Sequence, residues 1–330
     1  MSIPLDSLVD SFGRKITYLR FSVTERCNLR CRYCMPQNSP MTQDETFSFD
    51  DMLRICRIVA GMGIGAIRLT GGEPLVRPNL ASLVARMKRI DGLRWVTITT
   101  NGILLPAQLQ SLADSGLDAL NISLDTVNED TFQHLTGGKG LDAILASIDK
   151  AYELGLTVKV NCVPLRNANE DDLVKIVLLA KDKNIAIRFI ELMPFGAASA
   201  MQGLSVDEVS ALIEEAYGPL EVSPEKPGNG PAVYHRLEGF TGLIGIIGAL
   251  SQSYCKGCNR LRITASGMLK PCLASNLGLD LHALMQGGAS DTEIEAAVRK
   301  LVAEKPAGHN FTAADEREQY QKTELFRIGG

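Results

Sequence analysis

The sequence predicts an α/β protein whose core is an incomplete (β/α)6-type TIM barrel, followed by a smaller C-terminal α+β region. Short β-branched segments alternate with amphipathic segments from about residue 16 to 193, as is typical of parallel strands joined by helices. The six βα units are fewer than the eight that a closed barrel needs. The regular alternation stops after Pro194.

The order of the elements follows from this periodicity. Strands are predicted at 16–24, 66–70, 95–100, 119–124, 157–163 and 185–192, and helices at 49–61, 79–90, 106–115, 141–154 and 170–183. We expect a barrel core over 1–195 and a C-terminal region over 196–330, packed on the barrel. In that region a helix over 206–216 precedes a proline- and glycine-rich link at 223–232 and then β-rich segments.

Composition excludes several classes of protein. The 330 residues have a net charge of -4 and no lysine- or arginine-rich tract, which argues against a general binder of nucleic acid or anionic membranes. The longest apolar run, 242–250, is too short to cross a bilayer. The first ten residues lack the basic and apolar parts of a signal peptide. We therefore expect a cytoplasmic protein with neither a nucleic-acid nor a membrane partner.

Eight cysteines in such a chain indicate metal or redox chemistry more than disulfides. Six of them form two groups of three. The first group is Cys27, Cys31 and Cys34, and the second group is Cys255, Cys258 and Cys272. Cys56 and Cys162 stand alone in apolar periodic segments, so we expect them to be buried structural residues.

The first group has the spacing C-x3-C-x2-C, which can hold one polynuclear centre but is one ligand short of saturating four irons. Its neighbours Asn28, Arg30, Arg32 and Tyr33 supply no fourth ligand for zinc. The spacing favours an iron-sulfur centre with one open iron. On these residues alone, zinc or unligated thiols remain alternatives.

The second group has the spacing C-x2-C-x13-C, and from spacing alone a zinc ion completed by His282 or another residue is an equal alternative. Arg260 and Arg262 alternate along the predicted strand after Cys258, so their side chains point the same way. Guanidinium groups beside a centre with an open iron indicate a site for an anionic substrate.

Further cations fall within the predicted barrel strands. They are Arg20, Arg68, Lys159 and Arg188. Cations inside a barrel are costly unless they are paired or bind an anion. A triphosphate would satisfy them, and salt bridges to Glu73, Glu191 or Asp125 are the structural alternative.

The first cysteine group, with an aromatic residue before its last cysteine and a position after the first strand, resembles the radical S-adenosylmethionine (SAM) superfamily. The resemblance implies that the open iron of a [4Fe-4S] cluster binds SAM and that an electron from the cluster releases a 5'-deoxyadenosyl radical. Glu73, in Gly71-Gly72-Glu73-Pro74, would then suit the ammonium group of SAM. The implied SAM contacts are Tyr33, Gly72, Ser123 and Met193.

The complete set of motifs narrows the resemblance to the GTP 3',8-cyclase family of molybdenum cofactor biosynthesis. These motifs include CNLRCRYCMP, IRLTGGEPLVR, TTNG, NISLDT, VKVN, ELMP, CKGCNRLRIT, LKPCL and the terminal Gly329-Gly330. The resemblance implies that a second [4Fe-4S] cluster anchors the guanine of GTP. The implied GTP contacts are Arg20, Arg68, Thr99, Lys159, Arg260, Leu261 and Arg262. It also implies that the terminal glycines are essential and that no acid-base residue is catalytic.

The same resemblance implies certain partners and a product. The product is (8S)-3',8-cyclo-7,8-dihydroguanosine 5'-triphosphate, which a separate cyclic pyranopterin monophosphate synthase consumes. An electron donor such as flavodoxin is implied, and the chain is expected as a monomer or a homodimer. Two other functions stay open on the residues alone. One is a different radical SAM enzyme with an auxiliary cluster, such as a peptide-maturing enzyme, and the other is a non-catalytic zinc scaffold that binds a nucleotide or protein.

Overall fold

The computed structural model describes residues 7–35, 47–251, 254–309, 311 and 324–328. The strands are β1 (Tyr18–Ser22), β2 (Ala66–Thr70), β3 (Trp95–Thr100), β4 (Ala119–Ser123), β5 (Thr157–Cys162), β6 (Ala186–Ile190), β7 (Glu221–Val222), β8 (Val233–Arg236), β9 (Leu243–Ile247), β10 (Arg260–Ile263), β11 (Met268–Lys270) and β12 (Leu279–Asp280). The helices are α1 (Phe49–Gly61), α2 (Leu80–Met87), α3 (Leu105–Asp114), α4 (Glu129–Thr136), α5 (Leu141–Glu153), α6 (Leu173–Val177), α7 (Val206–Tyr217), α8 (Leu281–Gln286) and α9 (Asp291–Ala303). In the described ranges, no helix has the length and apolar character needed to span a membrane.

One twelve-stranded sheet, in the order β12-β11-β10-β1-β2-β3-β4-β5-β6-β9-β8-β7, runs through the fold. The strands from β10 through β9 in this order pair in parallel, whereas the outer strands pair antiparallel. The α/β partial barrel is therefore confirmed. The C-terminal region does not simply pack on the barrel, however, because β9 pairs with β6 and β10 pairs with β1. It extends the same sheet at both edges.

The predicted strands β1 to β6 are all present, with ends shifted by at most two residues. The helix expected over 170–183 is instead the five-residue α6 between two short 3-10 turns. Helix α4 was not predicted, because its eight residues bury little more than Phe132 and Leu135 and so show no extended period. Its start is fixed by Asn128, whose side chain accepts a hydrogen bond from the Thr131 backbone at 3.0 Å.

Apolar and polar side chains alternate along the strands, so one face of the sheet is apolar and the other is polar. Residues such as Leu19, Ile67 and Leu120 lie in the main core between the sheet and the helices. Cys56 and Cys162 are fully buried in this core, which confirms their structural role. The opposite face of the parallel strands forms the barrel interior and presents polar and cationic side chains.

The sheet curls around this interior. Strands β2 and β6 are four positions apart, which in a flat sheet would separate them by about 19 Å. Nevertheless, burial and the charge of Arg68 on β2 lower the pKa of Arg188 on β6, whereas Tyr234 and Tyr18 raise it. Such coupling needs side chains that converge across the barrel, so residues from distant strands meet in one site.

Candidate active site

The first cysteine group lies in the loop after β1, at the carboxyl end of the parallel strands. The backbone N-H groups of Arg30 and Arg32 donate to the carbonyl oxygens of Thr136 and Leu135 at 2.8 and 2.9 Å. The C-terminal end of α4, the helix that the periodicity did not reveal, therefore fixes the position of the cysteine loop.

The thiols of this group share one buried environment. Burial, together with Cys34 and Cys27, raises the pKa of Cys31. Burial and Cys27 raise the pKa of Cys34 to about 12. Two N-H donors point at Cys27 Sγ, the Leu29 backbone at 3.5 Å and Asn101 Nδ2 at 3.8 Å. Bound iron would stabilise thiolates that burial disfavours, and N-H donors to sulfur are a known means of tuning iron-sulfur centres. These residues therefore fit a cluster.

Gly71 and Gly72 join the end of β2 to the segment that leads into Cys27. A Cβ atom on Gly71 would lie 2.4 Å from the carbonyl oxygen of Thr24, and one on Gly72 would lie 2.5 Å from that of Arg26. The Gly72 N-H donates to the Thr24 carbonyl at 2.9 Å. Only glycine permits this approach of two backbone segments. The pair thus has a structural function besides the SAM contact predicted for Gly72.

The Glu73 carboxylate is held by the protein. Oε1 accepts from the Thr100 hydroxyl at 2.7 Å and from the Leu75 N-H at 2.9 Å, and Oε2 accepts from the Asn101 N-H at 2.6 Å. Burial raises its pKa to about 7. These three hydrogen bonds give the carboxylate a structural role, while its contact with the ammonium group of SAM stays a prediction. It fastens the end of β3 to the end of β2 and positions Asn101 against Cys27.

The other residues with predicted SAM contacts lie on the same side of the barrel. The Tyr33 hydroxyl donates to Asp125 Oδ2 at 2.8 Å, and Asp125 Oδ1 accepts from the Val163 N-H at 2.8 Å. Tyr33 and Met193 pack, with the last cysteine of the first group, against one small apolar cluster. Ser123 ends β4 at the same edge of the sheet. The structure brings these residues to the cysteine loop, while their contacts with SAM remain predictions.

A group of cations occupies the barrel interior. Arg20 is in register with Arg262 on one side and with Arg68 on the other. Burial, and then Arg262, lowers the pKa of Arg20. Burial, Arg188 and Arg68 lower the pKa of Lys159 to about 7. Burial lowers the pKa of Arg262 to about 10, with a further contribution from Arg260. These positive charges destabilise one another, and a bound anion would relieve that repulsion.

The carboxylates that offered a structural alternative accept hydrogen bonds elsewhere. Glu73 and Asp125 are engaged as described above. Glu191 accepts from the N-H groups of Leu250 and Ser251 at 2.7 and 2.9 Å and from the Ser251 hydroxyl at 2.7 Å. These contacts give no support to ion pairs between the three carboxylates and the interior cations.

The barrel interior also contains buried polar atoms with no hydrogen-bond partner in the described ranges. They are Tyr18 Oη, Arg68 Nε, Thr97 Oγ1, Thr99 Oγ1, Asn161 Oδ1 and Arg188 Nε. Each such atom costs about 1–3 kcal/mol if it stays unsatisfied. They come from five of the six strands β1 to β6 and include donors and acceptors. A polyanionic ligand that also has hydroxyl or base groups would satisfy them together.

The second cysteine group lines one cavity. The other residues around it include Met193, Tyr254, Arg260, Arg262, Lys305 and His309. Burial raises the pKa of Cys258, but the nearby charges of Arg260 and Lys305 outweigh it and leave the pKa lowered. The Arg260 guanidinium also lies over the Tyr254 ring at 4.7 Å. Three cysteines and several cations therefore fit a metal-sulfur centre that faces an anionic ligand.

Two details differ from the sequence reasoning. The Leu261 side chain is fully buried in the main core, on the face of β10 opposite to Arg260 and Arg262, so only its backbone can face a nucleotide. His282 packs edge-on against Phe47 with ring centroids 5.8 Å apart and is not part of the cavity lining. It is therefore not the completing ligand at this site.

Three residues of this cavity region were missed. His309 lines the cavity, and its Nε2 is buried without a hydrogen-bond partner in the described part of the chain. Lys305 and Arg14 bind the backbone around the cysteines, as detailed below. Isolated basic residues and a single histidine gave no spacing signal. The only available hint was the position of Arg14 in the segment DSFGR.

The C-terminal end approaches the first cysteine group. Gly329 and Gly330 lie outside the described residues. Just before them, Leu325 and Ile328 pack in the apolar cluster that contacts Tyr33. The Phe326 N-H interacts with the thiol of the last cysteine in the first group. Within the described ranges, no three His, Cys, Asp or Glu side chains converge closely enough for a single metal ion.

Comparison with protein families and known proteins decides among the alternatives. Residues 21–180 match the radical SAM superfamily, and residues 185–311 match the family described as Molybdenum Cofactor Synthesis C. The GTP 3',8-cyclase of Clostridium perfringens strain 13 is 40% identical over 323 residues, 97% of this chain and 99% of that protein. The GTP 3',8-cyclase of Moorella thermoacetica is 41% identical over 97% of this chain and 99% of that protein.

The chain belongs to the GTP 3',8-cyclase family. As in the rest of this family, its cofactors are SAM, a [4Fe-4S] cluster and an additional cluster. Molybdenum cofactor biosynthesis protein 1 of Dictyostelium discoideum is also 41% identical, over 92% of this chain and 49% of that protein.

Solved structures confirm the fold of this GTP 3',8-cyclase family member. Streptococcus suis SuiB bound to S-adenosylmethionine has a TM-score of 0.64 at 16% identity and covers 87% of this chain and 69% of that one. The structure of anSMEcpe with bound AdoMet has a TM-score of 0.55 at 13% identity, and the match covers 94% of this chain and 87% of that one. At these identities the likeness concerns the fold alone.

Proposed function

We propose that the chain converts GTP into (8S)-3',8-cyclo-7,8-dihydroguanosine 5'-triphosphate, the first step of molybdenum cofactor biosynthesis. One observation supports the assignment of GTP binding to specific residues. A set of buried cations lies in the barrel that also bears both three-cysteine sites, together with polar atoms that have no partner among the described residues. Such an interior suits a triphosphate with a polar sugar and base.

The first site holds the SAM-binding cluster. Cys27, Cys31 and Cys34 are its ligands, which leaves one iron open. When bound there, the cluster and SAM would supply a 5'-deoxyadenosyl radical, the species that would remove the hydrogen atom from C3' of GTP. The protein itself positions the groups that react. Glu73 and Gly72 fix the loops around the cysteines, and SAM contacts fall to Tyr33, Gly72, Ser123 and Met193.

The barrel interior holds the ribose and phosphates of GTP. We assign these contacts to the side chains of Arg20, Arg68, Thr99, Lys159, Arg260 and Arg262 and to the backbone of Leu261. The structure adds one residue to this set. Arg188 donates to Asn121 Oδ1 at 2.6 Å while its Nε stays unpartnered in the described ranges, so this side chain is oriented and still able to bind. Fixed donors of this kind place the reacting carbon without reorganisation.

The second site holds the other cluster on Cys255, Cys258 and Cys272. Arg260 and Arg262 line the same cavity as these cysteines, so a guanine bound to a cluster held there would sit next to the cations that hold its phosphates. The apolar packing around Met193 reaches both sites and limits water in between. Water exclusion matters because a primary carbon radical reacts with any available hydrogen donor.

Other parts of the proposal concern regions and partners. We assign 1–195 to the barrel core and 196–330 to the C-terminal region, although the two share one sheet. Gly329 and Gly330 would enter the active site, because the preceding turn already contacts the first cysteine group. A flavodoxin-like donor would supply electrons, and a cyclic pyranopterin monophosphate synthase would take the product from a monomeric or homodimeric enzyme.

The proposal is tested by measuring 5'-deoxyadenosine and nucleotide products from anaerobically reconstituted protein with SAM and a strong reductant. GTP should yield a new triphosphate with an altered chromatographic retention, in step with 5'-deoxyadenosine. ATP is the matched control and should give no such product. SAM cleavage that never changes a guanine nucleotide would contradict the substrate assignment.

A further inference from the structure

The three cysteines of the second site lie on two different segments of the chain. Cys255 and Cys258 lie at a short 3-10 turn before β10, whereas Cys272 follows β11. A short segment after α9, Lys305–Gly308, contacts all of these parts. Its basic anchor, Lys305, is 2% exposed, which is rare for a lysine.

Lys305 connects the two strands that carry the site. Its ammonium group donates to the carbonyl oxygen of Arg260 at 2.9 Å and to the carbonyl oxygen of Pro271. Arg260 is two residues after Cys258, and Pro271 directly precedes Cys272. One buried ammonium therefore fixes the distance between two cysteine-bearing segments.

Arg14 connects the remaining cysteine to the same segment. Its Nη1 donates to the carbonyl oxygens of Cys255 and Ala307, each at 2.8 Å, and its Nη2 donates to that of Pro306 at 2.6 Å. Asp10 orients the guanidinium through a 2.5 Å ion pair in which the side chains are 6% and 0% exposed. Arg14 thus joins the N-terminal segment, Cys255 and the residues that follow Lys305.

Gly308 completes the contact. A Cβ atom at this position would lie 3.3 Å from Cys255 Cβ and 3.5 Å from Cys255 Sγ, so the backbone itself packs on the cysteine. Charge supports the geometry, because Lys305 lines the cavity and lies close enough to Cys258 and Cys272 to interact with both thiols. A cation at this place would stabilise cysteine thiolates and the net negative charge of a cluster.

We propose that Lys305 and Arg14 are positioning residues of the second cluster site. They hold the three cysteine segments in one arrangement through the backbone of Lys305–Gly308. This inference rests on the proposed function only in assigning a cluster to these cysteines. Neither residue needs to touch GTP.

The test measures iron per chain in a full-length background in which Cys27, Cys31 and Cys34 are all alanine, so that only the second site binds iron. Lys305→Met and Arg14→Met should each lower iron from about four per chain to below about one. Lys305→Arg should retain most of the iron, because a guanidinium can donate to both carbonyls. The matched controls are Lys300→Met and Lys15→Met, which alter exposed lysines nearby and should bind iron like the parent.

A parallel measurement separates a local effect from misfolding. With all six cluster cysteines present, the SAM-dependent change in the electron paramagnetic resonance signal of the first cluster should persist in both methionine variants. Full iron binding at the second site in Lys305→Met and Arg14→Met would overturn the proposal. It would equally be overturned if both methionine variants lost the first cluster too. Failure of the parent to bind GTP while holding second-site iron would count against the proposed function alone.

Discussion

Arg20 on β1 and Arg68 on β2 stand in direct register on adjacent parallel strands, and Arg262 on β10 flanks Arg20 on the other side. Across the barrel, Arg68 and Arg188 both act on Lys159. Repulsion among buried cations opposes folding unless an anion binds. The interior is therefore organised for its ligand, and its residues yield specific expectations.

Replacing Arg68 with methionine should weaken GTP binding by about tenfold or more, because a charge-assisted donor is worth about 1.5–3 kcal/mol. Arg57→Met, which alters an exposed arginine on α1, is the control. Equilibrium binding of GTP to the reconstituted proteins measures the effect. An Arg68→Met variant with the affinity of the parent would remove this residue from the substrate site.

GTP affinity should depend on pH through Lys159. Its pKa is lowered to about 7 in the free protein, and a bound polyanion favours the charged ammonium. Binding should therefore take up a proton above about pH 7, and affinity should fall as pH rises from 7 to 9, with little dependence below 7. Calorimetry in buffers of different ionisation enthalpy measures the proton uptake.

The matched variant is Lys159→Met, which should bind GTP more weakly and lose that proton uptake. Any remaining pH dependence then belongs to the nucleotide itself or to other groups. Identical proton uptake in the parent and in Lys159→Met would show that this lysine is already charged in the free site.

Gly72→Ala should prevent the first cluster from assembling. The added Cβ would lie 2.5 Å from the Arg26 carbonyl oxygen, and that backbone cannot yield without moving the cysteine loop. Gly61→Ala adds the same atom at the end of α1, where nothing lies within 4 Å. It should stabilise the fold by up to about 1 kcal/mol. Iron content and thermal unfolding distinguish the two, and full cluster content in Gly72→Ala would refute the packing argument.

Removing one cysteine from each group should separate their roles. Cys27→Ala should abolish SAM cleavage, because the cluster that binds SAM loses a ligand. Cys258→Ala should leave some 5'-deoxyadenosine formation without any cyclised nucleotide. Chromatography of both products tests this, and complete cyclisation by either variant would overturn the division of roles.

Deletion of Gly329 and Gly330 should leave both clusters and the unfolding temperature unchanged while abolishing cyclisation. The preceding turn, Leu325–Ile328, supplies the packing that holds this end of the chain to the first site. An unchanged yield of cyclised product from the deletion variant would show that the glycines have no part in the reaction.

Much of the fold could be predicted because it depends on local periodicity. Strands β1 to β6 and both cysteine groups follow from short-range patterns. The addition of β9 and β10 to the barrel sheet could not be predicted, because pairing between β10 and β1 joins residues some 240 positions apart. No local pattern encodes such a long-range partner.

The same limit applies to the site. Residue types and spacing indicated the cluster ligands and most cations, but not which atom each carboxylate would bind. The spacing did not indicate, for example, that Glu73 at the end of β2 accepts hydrogen bonds from Thr100 and Asn101 at the end of β3. Lys305 and Arg14 act on backbone carbonyls of distant segments, and contacts of that kind leave no mark on sequence spacing.

We propose that the enzyme removes a hydrogen atom from C3' of a GTP molecule bound between the two cysteine sites. The most direct test is anaerobic turnover with SAM, a strong reductant and GTP deuterated at C3', followed by mass spectrometry. We expect deuterium in 5'-deoxyadenosine and a cyclised triphosphate that has lost it. Deuterium-free 5'-deoxyadenosine with GTP recovered unchanged would contradict the claim and leave only SAM cleavage to be explained.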